Sequence, residues 1–70
     1  MVTKNDLRFG KRIKQLRKKA EYTQEQLAEK IKVSTKYIQF LESAKRKPSI
    51  KTLNKIARAL SVKVKDLFTF

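Results

Sequence analysis

The sequence predicts an all-α fold of five short helices around one small core. Apolar residues recur at helical spacing in five segments that are separated by short breaks. The only stretch that alternates like a β-strand is SVKVK, residues 61–65, which is too short to outweigh the helical pattern around it. A chain of 70 residues is enough for one domain, and a single core of this size gives only marginal stability. We therefore expect residues 1–70 to form a single domain.

The first helix is predicted to run from about Asp6 to Lys19, with Asn5 or Thr3 as its N-cap. Its apolar stripe at i, i+4, i+7 and i+11 consists of Phe9, Ile13, Leu16 and Ala20. The remaining face is basic, which would also suit a helix lying on a membrane surface. Because the stripe is narrow and more core-forming helices follow, packing within the protein is the favoured interpretation.

The second and third helices are predicted to form a helix-turn-helix. Thr23 and Gln26 have the spacing of a capping box, so the second helix begins at Thr23. Ser34 is a good N-cap for a third helix that runs to about Ser43. Two short helices joined by about three residues are typical of this motif.

The third helix has two distinct faces. Ile38 and Leu41 fall on one side, where a small protein would bury them. The outward positions at i, i+3, i+4 and i+7 hold Lys36, Gln39, Phe40 and Ser43. A phenylalanine is unusual on this otherwise polar stripe and raises the question of what the face contacts.

Two further helices complete the predicted fold. Pro48 disfavours helix at Lys47, and Ser49 is a candidate N-cap for a fourth helix. The residues expected to point inward from that helix are Ile50, Leu53, Ile56, Ala57 and Leu60. The segment SVKVKDLF predicts a turn and a final short helix, with Val62, Val64, Leu67 and Phe68 on the core.

The amino-acid composition limits the classes of partner and of chemistry that the protein can have. The chain has 19 Lys and Arg against six Asp and Glu, a net charge of +13, beyond the magnitude of about 2–8 that solubility needs. Such an excess indicates nucleic acid, an anionic membrane surface or an acidic protein as the partner. Without cysteine or histidine, disulfides, the usual metal ligands and His-based nucleophile activation are all excluded. We therefore expect no enzyme, no cofactor and no small-molecule substrate.

Neither an apolar run of about 18 residues nor the apolar stretch of a signal peptide is found in the sequence. We therefore expect a cytoplasmic protein without a membrane partner.

The stretch TQEQLAEKIKVSTKYIQFLESAKRKPS, residues 23–49, resembles the phage repressor/Cro-type helix-turn-helix family, also called the xenobiotic response element family. FGKRIKQLRKKA before it and LNKIARALSVKVKDLF after it resemble the first helix and the last two helices of that family. The resemblance covers residues 7–68 and implies a five-helix, lambda-repressor-like DNA-binding domain. In that family the second helix begins at the phosphate backbone of double-stranded DNA and the third enters the major groove.

The resemblance also implies roles for individual residues. The positions matching the family's base-reading residues are Thr35, Lys36, Gln39 and Phe40. Those matching its phosphate-facing residues are Thr23, Gln24, Ser43, Lys45 and Arg46. Arg17 and Glu42 match an ion pair between the first and third helices. Family members often have glycine, which tolerates a left-handed backbone, where this chain has Glu21, Lys32, Ala44 and Ser61.

The side chains themselves leave alternatives open. Lys36 can donate to guanine and Gln39 can pair with adenine, although both would also suit a solvated helix face. Phe40 could pack on a thymine methyl group, fold over Tyr37 to extend the core, or contact a protein. The Arg17–Glu42 pair could be an ordinary surface pair or a partly buried one, which would contribute more to stability.

The chain ends in an apolar segment that includes Leu67, Phe68 and Phe70. An exposed aromatic end is a candidate homodimer contact, and the alternative is a frayed terminus. We therefore predict a sequence-specific DNA-binding transcriptional regulator that acts at an operator as a homodimer. One alternative is an antitoxin-like or adaptor module that binds a protein partner. Another is a charge-driven binder of nucleic acid or membrane surfaces without sequence preference.

Overall fold

The computed structural model describes residues 2–70 and contains four α-helices followed by a 3₁₀ helix. The helices are α1 (Lys4–Lys19), α2 (Gln24–Ile31), α3 (Thr35–Glu42) and α4 (Ile50–Ala59), and the 3₁₀ helix is Val64–Phe68. Within residues 2–70 there is no β-strand, so the all-α prediction is confirmed. The predicted fifth helix is present, but in the tighter 3₁₀ form.

Each α-helix begins at a serine or threonine whose side chain accepts a hydrogen bond from the backbone three residues on. These N-caps are Thr3, Thr23, Ser34 and Ser49. Thr3, rather than Asn5, caps α1, so this helix begins two residues before the predicted Asp6. The backbone N–H of Thr3 donates to the Asp6 carboxylate and lowers the pKa of that group. This capping interaction is therefore lost as the pH falls through the lowered pKa.

Every helix contributes to one core. Its fully buried large side chains are Ile13, Leu27, Ile38, Leu41, Ile56 and Leu67. Helix α1 packs on α3 and on the 3₁₀ helix, while α2 packs on α3 and α4. The α2–α3 unit is therefore supported from both sides, which fixes the orientation of α3.

Three predicted core positions are wrong. Ala20 is exposed because α1 ends at Lys19, so the helical register does not continue to it. Ile50 is 78% exposed, whereas Leu53 is partly buried and Ile56 is fully buried, so the first turn of α4 extends beyond the core. Phe68 remains 49% exposed, although its ring stacks on Phe9 with 5.0 Å between centroids.

Gly10 is the single glycine of the chain and is buried within α1. A Cβ atom at this position would lie 2.5 Å from the carbonyl oxygen of Glu42 and 2.9 Å from that of Leu41. The backbone of α1 therefore touches the C-terminal end of α3, an approach that only glycine permits.

All four α-helices end in the same way. Glu21, Lys32, Ala44 and Ser61 have φ values of 63°, 61°, 65° and 57°, in the left-handed region. The next residue in each case donates its backbone N–H to the carbonyl five residues earlier, as in Val33 to Ala28 at 2.9 Å. This is the Schellman motif, which usually has glycine at the left-handed position. The chain thus keeps the family's turn geometry at all four places where it lacks the glycine.

Candidate nucleic-acid interface

Helices α2 and α3 are joined by residues 32–34 in a tight turn. Lys32 adopts the left-handed conformation, and the extended Ser34 then caps α3. Val33, between them, packs its side chain against the core. The turn therefore fixes the angle between the two helices, and the predicted helix-turn-helix is confirmed.

Helix α3 presents one polar face outward. Ile38 and Leu41 are fully buried, which anchors the opposite face in the core. The four predicted base-reading residues lie together on the outer part of the helix: Lys36 and Gln39 are exposed, and Thr35 and Phe40 are partly buried. Eight residues give a helix about 12 Å long. A major groove about 12 Å wide can accept such a helix.

Phe40 lies between two ammonium groups. The Nζ atoms of Lys36 and Lys45 are each 5.9 Å from the centroid of its ring, within the range of cation–π attraction. Tyr37 packs against the core instead, and the guanidinium of Arg46 lies 5.7 Å from its ring centroid. Phe40 is partly buried and is not among the side chains packed on the central core, and its three alternative roles stay predictions.

The predicted phosphate-facing residues differ in how free their side chains are. Thr23, Lys45 and Arg46 are exposed at the start of α2 and in the loop after α3. Gln24 donates from Nε2 to Oε1 of Glu42 at 3.1 Å, so one of its two N–H groups is engaged. Ser43 donates its hydroxyl hydrogen to the carbonyl of Gln39 at 2.8 Å. A phosphate contact by Ser43 would require this internal hydrogen bond to break.

The predicted pair of Arg17 and Glu42 is confirmed and is buried. Nε of Arg17 is 2.6 Å from Oε2 of Glu42, and the side chains are only 8% and 5% exposed. Nη2 of Arg17 donates to Oε1 of Glu42 at 3.2 Å, which makes the contact bidentate. Nη1 donates to the carbonyl of Tyr22 at 2.8 Å.

The network around Glu42 joins three elements at one point. Arg17 comes from α1, Gln24 from the start of α2, and Glu42 from the end of α3. The roles of Gln24 and of the Tyr22 carbonyl in this network were not predicted. Glutamine at a helix start and a loop carbonyl carry no pattern that would indicate it.

Positive charge is largely unneutralised on this surface. Among residues 2–70, the only other ion pair joins the exposed Lys47 to the partly buried Asp6 at 3.6 Å. The basic loop Lys45–Lys47 directly follows α3, so cations flank the helix that carries the polar face. This arrangement can attract the phosphate backbone of a duplex while α3 approaches the bases.

The apolar C-terminal segment differs from its prediction in one residue. Leu67 is fully buried within the chain, so it offers no surface to a second copy, and its assignment as a dimer contact is wrong. Phe68 and Phe70 are about half exposed. Together with Phe9 and Leu53 they line a hollow of about 480 Å³.

Residues 2–70 were also searched for a metal site and for a membrane-spanning helix. Across residues 2–70, no three acidic side chains come close enough to hold a metal ion. None of the helices in that range combines the length and hydrophobicity needed to span a bilayer.

Known proteins that are similar to this chain also contain a helix-turn-helix. A family model described as helix-turn-helix matches residues 13–67. The chain is 46% identical over 59 residues to an uncharacterized HTH-type transcriptional regulator of Archaeoglobus fulgidus, covering 84% of this chain and 83% of that protein. It is 44% identical over 55 residues to the immunity repressor of Bacillus phage phi105, covering 79% of this chain and 38% of the repressor.

Among solved structures, the fold is similar to that of SinR, the master regulator for biofilm formation, crystallised in complex with DNA. The TM-score is 0.80 at 40% sequence identity, and the match covers 84% of this chain and 95% of the SinR chain.

Proposed function

We propose a specific role for this chain, which belongs to the helix-turn-helix family of DNA-binding transcriptional regulators. The resemblance to phage repressors that the sequence suggested is confirmed by the match to the phi105 immunity repressor. The proposed role is sequence-specific binding to a double-stranded DNA operator, with two copies of the chain bound to one site.

The outer face of α3 is the observation that carries this proposal. Lys36 and Gln39 expose donors that suit base edges, and Phe40 places an apolar ring beside them. The buried face of the same helix and the Arg17–Glu42 pair hold the backbone of α3, from which these side chains project, in place. Exposed donors on a firmly held helix that is flanked by cations suit base readout.

Selection from a randomised DNA pool at about physiological salt tests the proposal, because non-specific phosphate binding is weak under those conditions. The expected result is a two-fold symmetric motif with half-sites about one helical turn apart. Failure of the folded protein to enrich any motif would overturn the operator proposal and direct the search to a protein partner.

Gln39→Ala is expected to relax base preference at one position of the motif and to cost about 1–3 kcal/mol on the preferred site. The exposed amide of Gln39 is the group best suited to pairing with adenine. Fluorescence anisotropy on the selected site and on single-base variants measures the change.

Arg46→Ala is the matched comparison, since the loss of a phosphate contact weakens binding to all sequences alike and lowers the slope of log K against log salt by about 1. Unchanged selectivity in Gln39→Ala would remove its base-reading role.

Phe40→Ala is expected to abolish a preference for thymine at one position, with little change in melting temperature, because Phe40 lies between cations rather than in the core. Replacing that thymine by deoxyuridine removes only the methyl group, so it should weaken the wild-type protein and leave the variant unaffected. A lower melting temperature with unchanged DNA binding would instead assign Phe40 to the core.

Phe70→Ser is expected to weaken self-association by a factor of roughly 10–100, since a two-fold interface loses the burial of the ring twice. Phe70 is 50% exposed beside the half-exposed Phe68, so a second copy can cover both. Sedimentation equilibrium measures the dimer constant. Leu7→Ser removes a similarly exposed side chain, 48% exposed on α1, and should leave the constant unchanged. Equal effects of the two substitutions would argue against this contact.

A further inference from the structure

A second concentration of positive charge lies between α2 and α4. An open hollow of about 540 Å³, here called the α2–α4 groove, is formed by the C-terminal end of α2, the residue after it and the second half of α4. It is lined by Lys30, Ile31, Lys32, Lys55, Arg58 and Ala59. Four of these six residues are cations, and they come from α2, the turn after it and α4.

Lys30 and Arg58 lie at the ends of α2 and α4 that are far from the proposed phosphate contacts. Helix α2 begins beside Thr23 at the proposed phosphate contact, and Lys30 lies about 10 Å further along it. Lys32 lies in the turn that leads into α3. Helix α4 begins after the basic loop at Ser49, and Arg58 lies near its other end. No residue of α3 lines the groove. A duplex bound to α3 is therefore expected to leave Lys30, Lys55 and Arg58 open to a further contact.

Helix stability accounts for only part of this charge. Lys30 and Arg58 occupy the last turns of α2 and α4, where a cation complements the helix dipole. Lys55 lies in the middle of α4, and Lys32 is held at φ 61°, where glycine would be less strained. Neither of the two ion pairs formed by residues 2–70 involves a cation of the groove. A concave surface lined by one sign of charge concentrates its field.

The shape and lining of the groove favour a phosphate backbone over a protein. Its two apolar residues, Ile31 and Ala59, are 4% and 9% exposed and offer no anchor. The exposed large apolar side chains, Val2, Leu7, Ile50, Phe68 and Phe70, all lie outside it. Protein interfaces usually depend on a buried aromatic or aliphatic anchor, whereas non-specific DNA binding needs only cations.

We propose that the α2–α4 groove binds the phosphate backbone of a second DNA duplex while α3 engages the first. The contact is independent of sequence and joins two DNA segments through one protein. Such bridging would let the protein bring distant stretches of DNA together.

NMR titration of the isotope-labelled protein with a short duplex of random sequence, at about 50 mM salt, tests the proposal. The amide signals of residues 35–46 should shift first. Those of residues 30–32 and 55–59 should follow and saturate only at higher DNA ratios. In a parallel assay, the protein should retain a labelled duplex on an immobilised one.

The variant K30Q/K55Q/R58Q should lose the second set of shifts and retain the first. Its capture of the second duplex should fall at least about tenfold, with the slope of log K against log salt lower by about 3. The matched variant K11Q/K14Q/K18Q removes three exposed cations of α1 and should keep both phases.

Shifts confined to residues 35–46 at every DNA ratio would overturn the proposal. Equal loss of capture in the two variants would also overturn it, since the effect would then be one of net charge. If poly-glutamate shifted the amide signals of the groove as strongly as DNA does, the groove would be assigned to an acidic protein instead. Shifts in the groove without shifts in residues 35–46 would overturn both this proposal, which needs a first duplex on α3, and the operator proposal, whereas shifts confined to residues 35–46 leave the operator proposal standing.

Discussion

Glu42→Gln is expected to destabilise the protein by about 3–5 kcal/mol, because it leaves the guanidinium of Arg17 buried without a counter-charge. Glu42 accepts two hydrogen bonds from Arg17 and one from Gln24, and the pair is almost fully buried. For a domain of this size, the loss corresponds to a fall in melting temperature on the order of 20 °C. Thermal unfolding followed by circular dichroism measures it.

Two further variants isolate the cause. Glu29→Gln removes the charge of an exposed glutamate on α2 and should change stability by less than about 0.5 kcal/mol. The double variant R17M/E42L removes both charges and should recover most of the loss, since an apolar pair often replaces a buried ion pair without penalty. A Glu42→Gln variant within about 1 kcal/mol of the wild type would show that the pair behaves as an exposed one.

The network around Glu42 is also expected to link stability to DNA binding. It holds the C-terminal end of α3 against α1 and against the start of α2. The same end of α3 is held by the close approach of Gly10. Weakening this anchor should therefore reduce affinity for all DNA sequences, without changing which base is preferred at any position.

Much of the fold follows from local sequence signals. Thr23 with Gln26, Ser34 and Ser49 mark three helix starts because a side-chain oxygen there satisfies a backbone donor that the helix leaves free. The spacing of Ile38 and Leu41 identifies the buried face of α3. These features depend on neighbours within four residues, so the sequence alone displays them.

The errors concern features that depend on distant parts of the chain. Ile50 fits the apolar period of α4, yet the first turn of that helix passes beyond the core. The need for glycine at position 10 arises from the carbonyl of Glu42, 32 positions later. The cations around Phe40 belong to two segments, α3 and the loop after it, and only folding brings Lys45 to the ring.

Replacing Glu21, Lys32 and Ser61 together by glycine is expected to stabilise the protein by about 2–3 kcal/mol. Each residue has φ near +60°, which costs a side chain about 1–2 kcal/mol, partly offset because glycine is freer in the unfolded chain. The three sites are at the ends of different helices, so their effects should add. Ala44 is left unchanged because it is 8% exposed, and loss of its buried methyl group would cancel much of the gain.

This triple variant separates backbone strain from charge. Removing Glu21 and Lys32 together leaves the net charge at +13, so a change in stability cannot come from altered repulsion. Chemical denaturation should give a higher midpoint with an unchanged slope against denaturant concentration, since the surface exposed on unfolding stays the same. Glu29→Gly places glycine inside α2 instead and should lower stability by about 1 kcal/mol. If the triple variant were also destabilised, the left-handed geometry at the helix ends would be wrong, and with it the turn that orients α3.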